Sequence, residues 1–313
     1  MPTSTLGNAI GNLLPSELYP IAVEKVFLPR YHEVSPIPVL TKRFPRIVGT
    51  QIVYPTIGKS TVNTLTTDTF DGTIPVQNIT AEATTINLNQ VSTWAYTVPP
   101  FMETLSPARV MTEQLIDNAQ TLSDCIATQV LSQMFTGAGT QMGTVDISIE
   151  NAYNNLIDMN TKLNKLNVPS RGRRYLIDYD YYNLLEKSER LGRDTRVEPN
   201  GYISGFQVGG YEVYVTNLLT STPGTTGANP TNPTGQAMLI QEDAFGYADI
   251  VSKTQYINGS VGNMSATMQG ALRWGAGYLL PNNVVACTCS YTCLLYTSPS
   301  PRDANASRMP SSA

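Results

Sequence analysis

The sequence is poor in the residues that most often carry out chemistry. Its 313 residues include one histidine, four cysteines and two tryptophans, and only 14% of them are charged. A Ser-His-Asp or Cys-His arrangement would have to use His32, and no Gly-x-Ser-x-Gly elbow occurs in the sequence. A hydrolase of that kind is therefore disfavoured, and His32 is interpreted as a surface or interface residue.

The cysteines do not have the spacing of a metal site. Cys287 and Cys289 form a Cys-x-Cys pair with Cys293 shortly after it, and neither a second pair nor a histidine is nearby. Cys125 falls inside a helical pattern and is predicted to be a small buried residue. The sequence predicts no catalytic residue, no cofactor and no metal site.

Basic charge and long apolar runs are also missing. The net charge is −4, which excludes a protein that binds nucleic acid through its overall charge. The first residues lack the basic and apolar regions of a signal peptide, and no apolar run approaches the roughly 18 residues that cross a bilayer. We expect a protein that is neither secreted nor inserted in a membrane.

What the chain does contain is typical of strands and loops. It has 23 glycines, 21 prolines and 17 tyrosines, and 41% of its residues are hydrophobic. Residues 49–57 and 84–99 alternate between apolar and polar side chains and flank a Thr-rich polar stretch. This pattern predicts an extended β-hairpin that reaches outward, because a long polar loop is unusual inside a compact domain.

The strongest helical pattern follows this hairpin. Ser106 suits the N-cap and Pro107 the first turn, and the helix is predicted to run to Phe135, where Gly137 and Gly139 end it. The residues of its apolar stripe recur every three or four positions. They are Leu115, Ala119, Leu122, Ile126, Val130 and Met134.

Short strands and helices alternate in the rest of the chain. A helix is predicted over residues 149–166, and a strand then precedes a short helix that ends at Gly192. Two strands turn at Gly209 and Gly210, "AMLIQ" is a further strand, "EDAFGYADI" a short helix, and residues 264–286 returning strands. The apolar face of the 149–166 helix is predicted to comprise Ala152, Leu156, Met159, Leu163 and Leu166. The fold class is α+β, without internal repeats.

Two polar motifs remain as candidate sites. Asp178 and Asp180 follow an apolar strand, where some enzymes place an Asp-x-Asp pair that holds Mg²⁺, although Asp180 also suits the cap of the helix that follows. Arg171, Arg173 and Arg174 suit a phosphate or a carboxylate of a neighbour, or a solvated edge of the protein. Neither motif has the companions that would make it specific.

Three segments in this order carry a family resemblance. They are "SRGRRYLIDYDYYNLLEKSER", "GYISGFQVGGYEVYVTNLL" and "ALRWGAGYLLPNNVV". With the N-terminal arm, the hairpin and the long helix before them, they resemble the HK-97 fold of tailed-phage major capsid proteins, and within it the branch of the P22-type coat protein. The resemblance covers residues 49–286.

The resemblance implies a division of the chain into named parts. Residues 1–48 would be the N-terminal arm, 49–98 the E-loop with its flanking strands, and 99–145 the P-domain with its spine helix. Residues 146–250 would be the A-domain and 251–292 the strands that return to the A- and P-domains. In such proteins the E-loop lies on the adjacent subunit.

It also implies a function. The chain would assemble with copies of itself, as pentamers and hexamers, into an icosahedral shell around phage double-stranded DNA. A scaffolding protein and a portal would be further partners, and the shell would form in the host cytoplasm and end in the virion. The alternatives are an encapsulin-like compartment shell, a Mg²⁺-dependent enzyme that uses Asp178 and Asp180, and a trimeric phage tail protein.

The last residues are interpreted differently. Cys293–Ser298 can be reverse-translated as TGT CTC TTA TAC ACA TCT, and "PSPRD" after it as CCG AGC CCA CGA GAC, which resembles a sequencing adapter. We therefore expect residues 293–313 to be an adapter-derived artefact and the natural end of the chain to have been replaced at residue 293.

Overall fold

A computed structural model describes most of the chain between residues 40 and 291. The described residues are 40–44, 49–57, 81–98, 107–188, 191, 195–198, 200–221, 232–257 and 266–291. The chain divides into two compact units. The first takes Met1–Gly137 and Glu242–Pro281, and the second Ala138–Gln241 and Asn282–Ala313.

The first unit contains a four-stranded sheet, a two-stranded sheet and a long helix. The four-stranded sheet has the order β1-β11-β12-β4, with β1 parallel to β11 and the other neighbours antiparallel. The elements are β1 (Lys42–Arg43), β2 (Gln51–Ile57), β3 (Ala81–Asn87), β4 (Gln90–Val98), α1 (Pro107–Thr136), β11 (Phe245–Ile257) and β12 (Ala266–Tyr278).

Helix α1 confirms the long helix predicted from sequence, within one residue at its C-terminal end. Its 30 residues span about 45 Å at 1.5 Å per residue. All six residues of the predicted stripe are buried, from Leu115 to Met134. Cys125 lies outside this stripe and is exposed, so its predicted burial is wrong: it stands about 100° around the helix from Ile126.

The second unit is a seven-stranded mixed sheet with two helices. The strands follow the order β5-β13-β10-β6-β9-β8-β7. The elements are β5 (Thr140–Ile147), α2 (Ala152–Lys165), β6 (Arg173–Ile177), α3 (Tyr179–Lys187), β7 (Arg196–Val197), β8 (Tyr202–Val208), β9 (Tyr211–Val215), β10 (Thr234–Gln241) and β13 (Val284–Tyr291).

The apolar faces of α2 and α3 pack into the core of the second unit. Leu156 and Met159 of α2 and Leu184 of α3 are fully buried there with side chains from β6, β10 and β13. Leu166 is 46% exposed, so its predicted place on the buried face of α2 is wrong. It is the C-cap residue, and its position no longer follows the helical period.

The tight turn between β8 and β9 confirms the predicted hairpin. Gly209 and Gly210 have φ values of 60° and 84°, the left-handed region that a two-residue hairpin turn of this kind requires.

By contrast, the short helix predicted over residues 242–250 is wrong. Glu242 and Asp243 form a turn, and the residues after it begin β11, which pairs with β12 along most of its length. This long-range pairing outweighs the local helical preference of the segment.

The stripe of α1 gives a stability prediction with a control at the next position. Ile126→Ala should lower the free energy of unfolding by about 2–5 kcal/mol, because the side chain is fully buried and leaves a cavity. Cys125→Ala, on the exposed face, should change it by less than about 0.5 kcal/mol. Urea unfolding of both variants measures the difference, and equal effects would contradict the assignment of the buried face.

Candidate assembly surface

Strands β2 and β3 form the described part of the predicted outward-reaching hairpin. They pair antiparallel from Gln51 with Asn87 to Ile57 with Ala81, which confirms the pairing predicted from sequence. At the base, the backbone N–H of Leu88 donates to the carbonyl of Thr50 over 2.9 Å. The connecting residues 58–80 lie outside the described residues.

The inner face of the hairpin packs against its own unit on three glycines, Gly246, Gly275 and Gly277, here called the glycine bed. The Ile86 side chain is 2% exposed and lies against Gly246 and Gly277, which are paired across β11 and β12. At Gly275 a Cβ would stand 2.4 Å from the carbonyl oxygen of Asn87, so the two backbones touch. Arg273 Nε donates to the carbonyl of Leu88 over 2.6 Å beside this contact. The base of the hairpin is therefore held by close packing on glycines, and at Gly275 the packing is between main chains and leaves no room for a Cβ.

The outer face of the hairpin is bare. Val53 in the middle of β2 is 60% exposed. Five further residues on this face are exposed as well: Gln51, Pro55, Ala83, Thr85 and Asn87. A two-stranded ribbon with one covered face is marginal by itself, so this outer face is the first candidate for contact with another molecule.

A second bare surface lies on the four-stranded sheet. Beyond the glycine bed, the same strands enclose a shallow concavity of ≈ 360 Å³. Its walls include the small side chains of Thr93, Ala95 and Ala271, with Gln255 and Gln269 beside them. The amide nitrogen of Gln269 donates to the side-chain oxygen of Gln255 over 3.3 Å, which keeps the rim polar.

The Asp-x-Asp motif has a structural role. Asp178 is the N-cap of α3: its Oδ1 accepts from the backbone N–H of Tyr181 over 2.9 Å and from the Tyr291 hydroxyl over 2.5 Å. Asp180 lies in the first turn of the helix, so the predicted cap at Asp180 is wrong by two residues. The carboxyl of Asp178 thus joins the start of α3 to the end of β13.

Asp178 is also almost fully enclosed. It is 4% exposed, and its carboxyl lies so close to β10 that a Cβ at Gly235 would overlap Oδ2. Burial raises the pKa of Asp178, and the hydrogen bonds from Tyr291 and Tyr181 offset part of that rise. Among the residues that the structure describes, no three His, Cys, Asp or Glu side chains are grouped to hold a metal ion.

The three arginines do not form a common patch. The guanidinium of Arg173 is buried and donates to the carbonyl of Pro169 over 3.0 Å and to Oδ1 of Asn164 over 2.6 Å, which ties the end of α2 to β6. Arg174 pairs with Glu212 of β9 at 3.2 Å, and Arg171 is exposed. No pattern in the sequence predicted that Arg173 would be buried.

Some predicted residues lie outside the described part of the chain. His32, Ser106 and Cys293 are among them, together with the whole adapter-like segment. Within the described ranges, no helix combines the length and the apolar character needed to cross a membrane.

Similarity to known proteins appears in structure and not in sequence. No protein-family model matches the chain, and no curated protein matches its sequence. The capsid structure of the cyanophage P-SCSP1u aligns with a TM-score of 0.57 at 14% identity, over 81% of this chain and 87% of that one. The capsid of Ralstonia phage GP4 aligns at 0.56 and 10% identity, over 80% and 87%.

A third structure, a virus-like particle from Pyrococcus furiosus, aligns at 0.51 and 14% identity, over 84% of this chain and 96% of that one. The chain has the HK-97-like capsid fold. The fold class predicted from sequence is confirmed.

The glycine bed gives a prediction with a matched control. Gly275→Ala should loosen the hairpin, because its methyl group would meet the backbone of Asn87 and Leu88, which cannot rotate away. Gly277→Ala should be tolerated, because its nearest neighbour is a side-chain carbon of Ile86 at 3.4 Å. Hydrogen exchange of the β2 and β3 amides should rise about tenfold or more in the first variant only. Equal exchange in both variants would show that the hairpin does not depend on this bed.

The Asp178 carboxyl gives a pH dependence of known sign. Because its folded-state pKa is raised, the folded state holds the proton more tightly than the unfolded state. Its stabilising contribution is full below its ordinary pKa of about 3.9 and declines as pH rises through the raised value. Relative to Asp178→Asn, the natural protein should therefore lose stability from about pH 4 upward.

Urea unfolding at several pH values measures this difference. Asp180→Asn serves as the control and should leave the pH dependence largely in place, because Asp180 is not the cap. A stability difference between the natural protein and Asp178→Asn that did not change with pH would contradict the assignment.

Proposed function

We propose that the chain is a major capsid protein that assembles into an icosahedral shell around phage double-stranded DNA. The capsid fold carries this proposal: it extends over 81% of the chain in the comparison with the cyanophage capsid and 80% with the Ralstonia phage capsid. A structural role, without catalysis, is part of the proposal. The cap geometry of Asp178 supports it, because that geometry accounts for the motif without a metal.

The bare hairpin face supports assembly with copies of the same chain. In a shell, the hairpin of each copy would lie on the adjacent copy, which would cover Val53 and its neighbours. Each such contact is small, but closed symmetry repeats it around the whole particle, so that weak contacts add up. The shallow surface around Ala95 and Ala271 is a suitable place to receive such an extended segment.

The two units can be assigned to the parts that the family resemblance names. The first unit, with α1 and the hairpin, would hold the E-loop and the P-domain. The second unit, with the seven-stranded sheet, would be the A-domain that gathers around the symmetry axes of pentamers and hexamers. A scaffolding protein and a portal are proposed as further partners, with assembly in the host cytoplasm and a final place in the virion.

DNA would be enclosed without sequence-specific recognition. The net charge of −4 agrees with this, because a strongly basic lining would hold the packaged DNA too tightly.

A shell that stores protein cargo is the second candidate. It would use the same fold, which this chain shares with a virus-like particle from Pyrococcus furiosus as well as with the phage capsids. Particles isolated from the natural host distinguish the two: nuclease-protected double-stranded DNA indicates a phage capsid, and an enclosed enzyme indicates a compartment.

Assembly itself is the direct prediction. The chain, expressed with and without residues 293–313, should form closed shells or curved sheets visible by negative-stain electron microscopy, with a candidate scaffolding protein added where needed. Val53→Asp should abolish assembly, because a carboxylate would be buried without a partner at each contact. Its circular dichroism spectrum should remain that of the natural protein.

Val53→Thr is the matched control, since it keeps the shape of the side chain without a charge. It should still assemble. If Val53→Asp assembled as well as the natural protein, the hairpin face would not be the contact surface, and the proposal would need another one.

A further inference from the structure

The contacts at the base of the hairpin contain no pair of opposite charges. The Ile86 side chain and the Asn87 backbone pack on the glycine bed. Arg273 Nε donates to the carbonyl of Leu88 over 2.6 Å, and the Leu88 N–H donates to the carbonyl of Thr50 over 2.9 Å. Dissolved salt screens interactions between charges, so it should weaken these contacts little.

A separate contact holds the hairpin further from its base, at Tyr54 of β2. The ammonium group of Lys42 lies 3.4 Å from the Tyr54 hydroxyl and 4.9 Å from the centre of the Tyr54 ring. The ring of Phe44 meets the same ring edge to face, with 6.3 Å between centres. Because Tyr54 is paired with Thr84 of β3, a cation and an aromatic edge hold both strands at this level.

The cation at Tyr54 depends in turn on an exposed ion pair. Lys42 pairs with Asp243, in the turn before β11, at 2.9 Å. The two side chains are 37% and 41% exposed, and salt weakens an ion pair that is this open to solvent. The contact at Tyr54 is therefore sensitive to salt, in contrast to the base of the hairpin.

The backbone that carries Lys42 is fastened independently of the hairpin. Arg43, the next residue, pairs with Asp249 at 2.9 Å, and the Asp249 side chain is only 4% exposed. The backbone N–H of Phe44 donates to the carbonyl of Tyr247 over 3.1 Å, so β1 stays beside β11. The Lys42 side chain can therefore release Tyr54 while the backbone beneath it stays in place.

We propose that Lys42 is a salt-sensitive latch on the hairpin, and that the glycine bed is the hinge about which the hairpin turns when the latch is open. At low ionic strength, Lys42 holds Tyr54 and fixes the direction in which the hairpin leaves the first unit. At high ionic strength it releases Tyr54, and the hairpin turns about Ile86 and Asn87. This property belongs to the single chain, so it does not rest on the proposed function.

Hydrogen exchange of the unassembled full-length chain, resolved to single amides, tests the latch. Raising the salt concentration from about 0.01 M to about 1 M shortens the screening length from about 30 Å to about 3 Å. In the natural protein this should accelerate exchange about threefold in β2 and β3, from Tyr54 and Thr84 outward. The Leu88 amide at the hinge and the amides of β11 should not change.

Lys42→Met shows whether the salt effect comes from the latch. Methionine keeps the length of the side chain without its charge, so the same hairpin amides should exchange about fivefold faster even at low salt. Added salt should then have no further effect on them. Tyr54→Leu removes the ring from the hairpin side of the contact and should abolish the salt effect as well, which provides a second variant where Lys42→Met does not fold.

Arg174→Met is the matched control, because it removes an ion pair of comparable exposure, with Glu212, from the second unit. It should change neither the hairpin amides nor their response to salt. The proposal is overturned if salt accelerates the hairpin amides equally in the natural protein and in Lys42→Met or Tyr54→Leu. It is also overturned if the Leu88 amide and those of β11 accelerate together with the hairpin, because the whole unit would then be loosened.

Discussion

A two-stranded hairpin cannot cover both of its own faces, and this limit shapes the first unit. The end of β3 packs onto glycines of β11 and β12, and at Asn87 and Gly275 the backbones touch. The other face, around Val53, remains open. In an isolated chain, such a ribbon would add little to the stability of the fold. If another copy supplied the missing layer, the arrangement would become favourable, which is the physical argument for the proposed shell.

In the second unit, by contrast with the exposed outer face of the hairpin, two charged side chains are buried. Asp178 and Arg173 are both buried, and both are used to tie secondary-structure elements together. Asp178 joins α3 to β13, and Arg173 joins the end of α2 to β6. Buried polar groups with such partners favour one arrangement of the core over others. These contacts therefore hold the second unit in one arrangement, while the outer face of the hairpin is left exposed.

Sequence was sufficient where the pattern is local. The stripe from Leu115 to Met134 predicted α1 to within a residue, and the alternation on either side of residues 58–80 predicted the hairpin. It was insufficient where long-range pairing decides, as in β11, or where a helix starts two residues earlier than the pattern predicts, as at Asp178. The glycine bed could not have been predicted, because its glycines lie 160 to 191 positions from Ile86 and Asn87 in the chain and only the folded unit brings them together.

The most direct test is a cryo-electron microscopy reconstruction of the particles that the chain forms. The account predicts an icosahedral shell in which the Val53 face of each hairpin is covered by the adjacent copy, with the glycine bed of its own unit still beneath Ile86. A closed shell in which that face remains exposed to solvent would contradict the role given to the hairpin. A small discrete oligomer, formed even when a scaffolding protein is supplied, would contradict the capsid function itself.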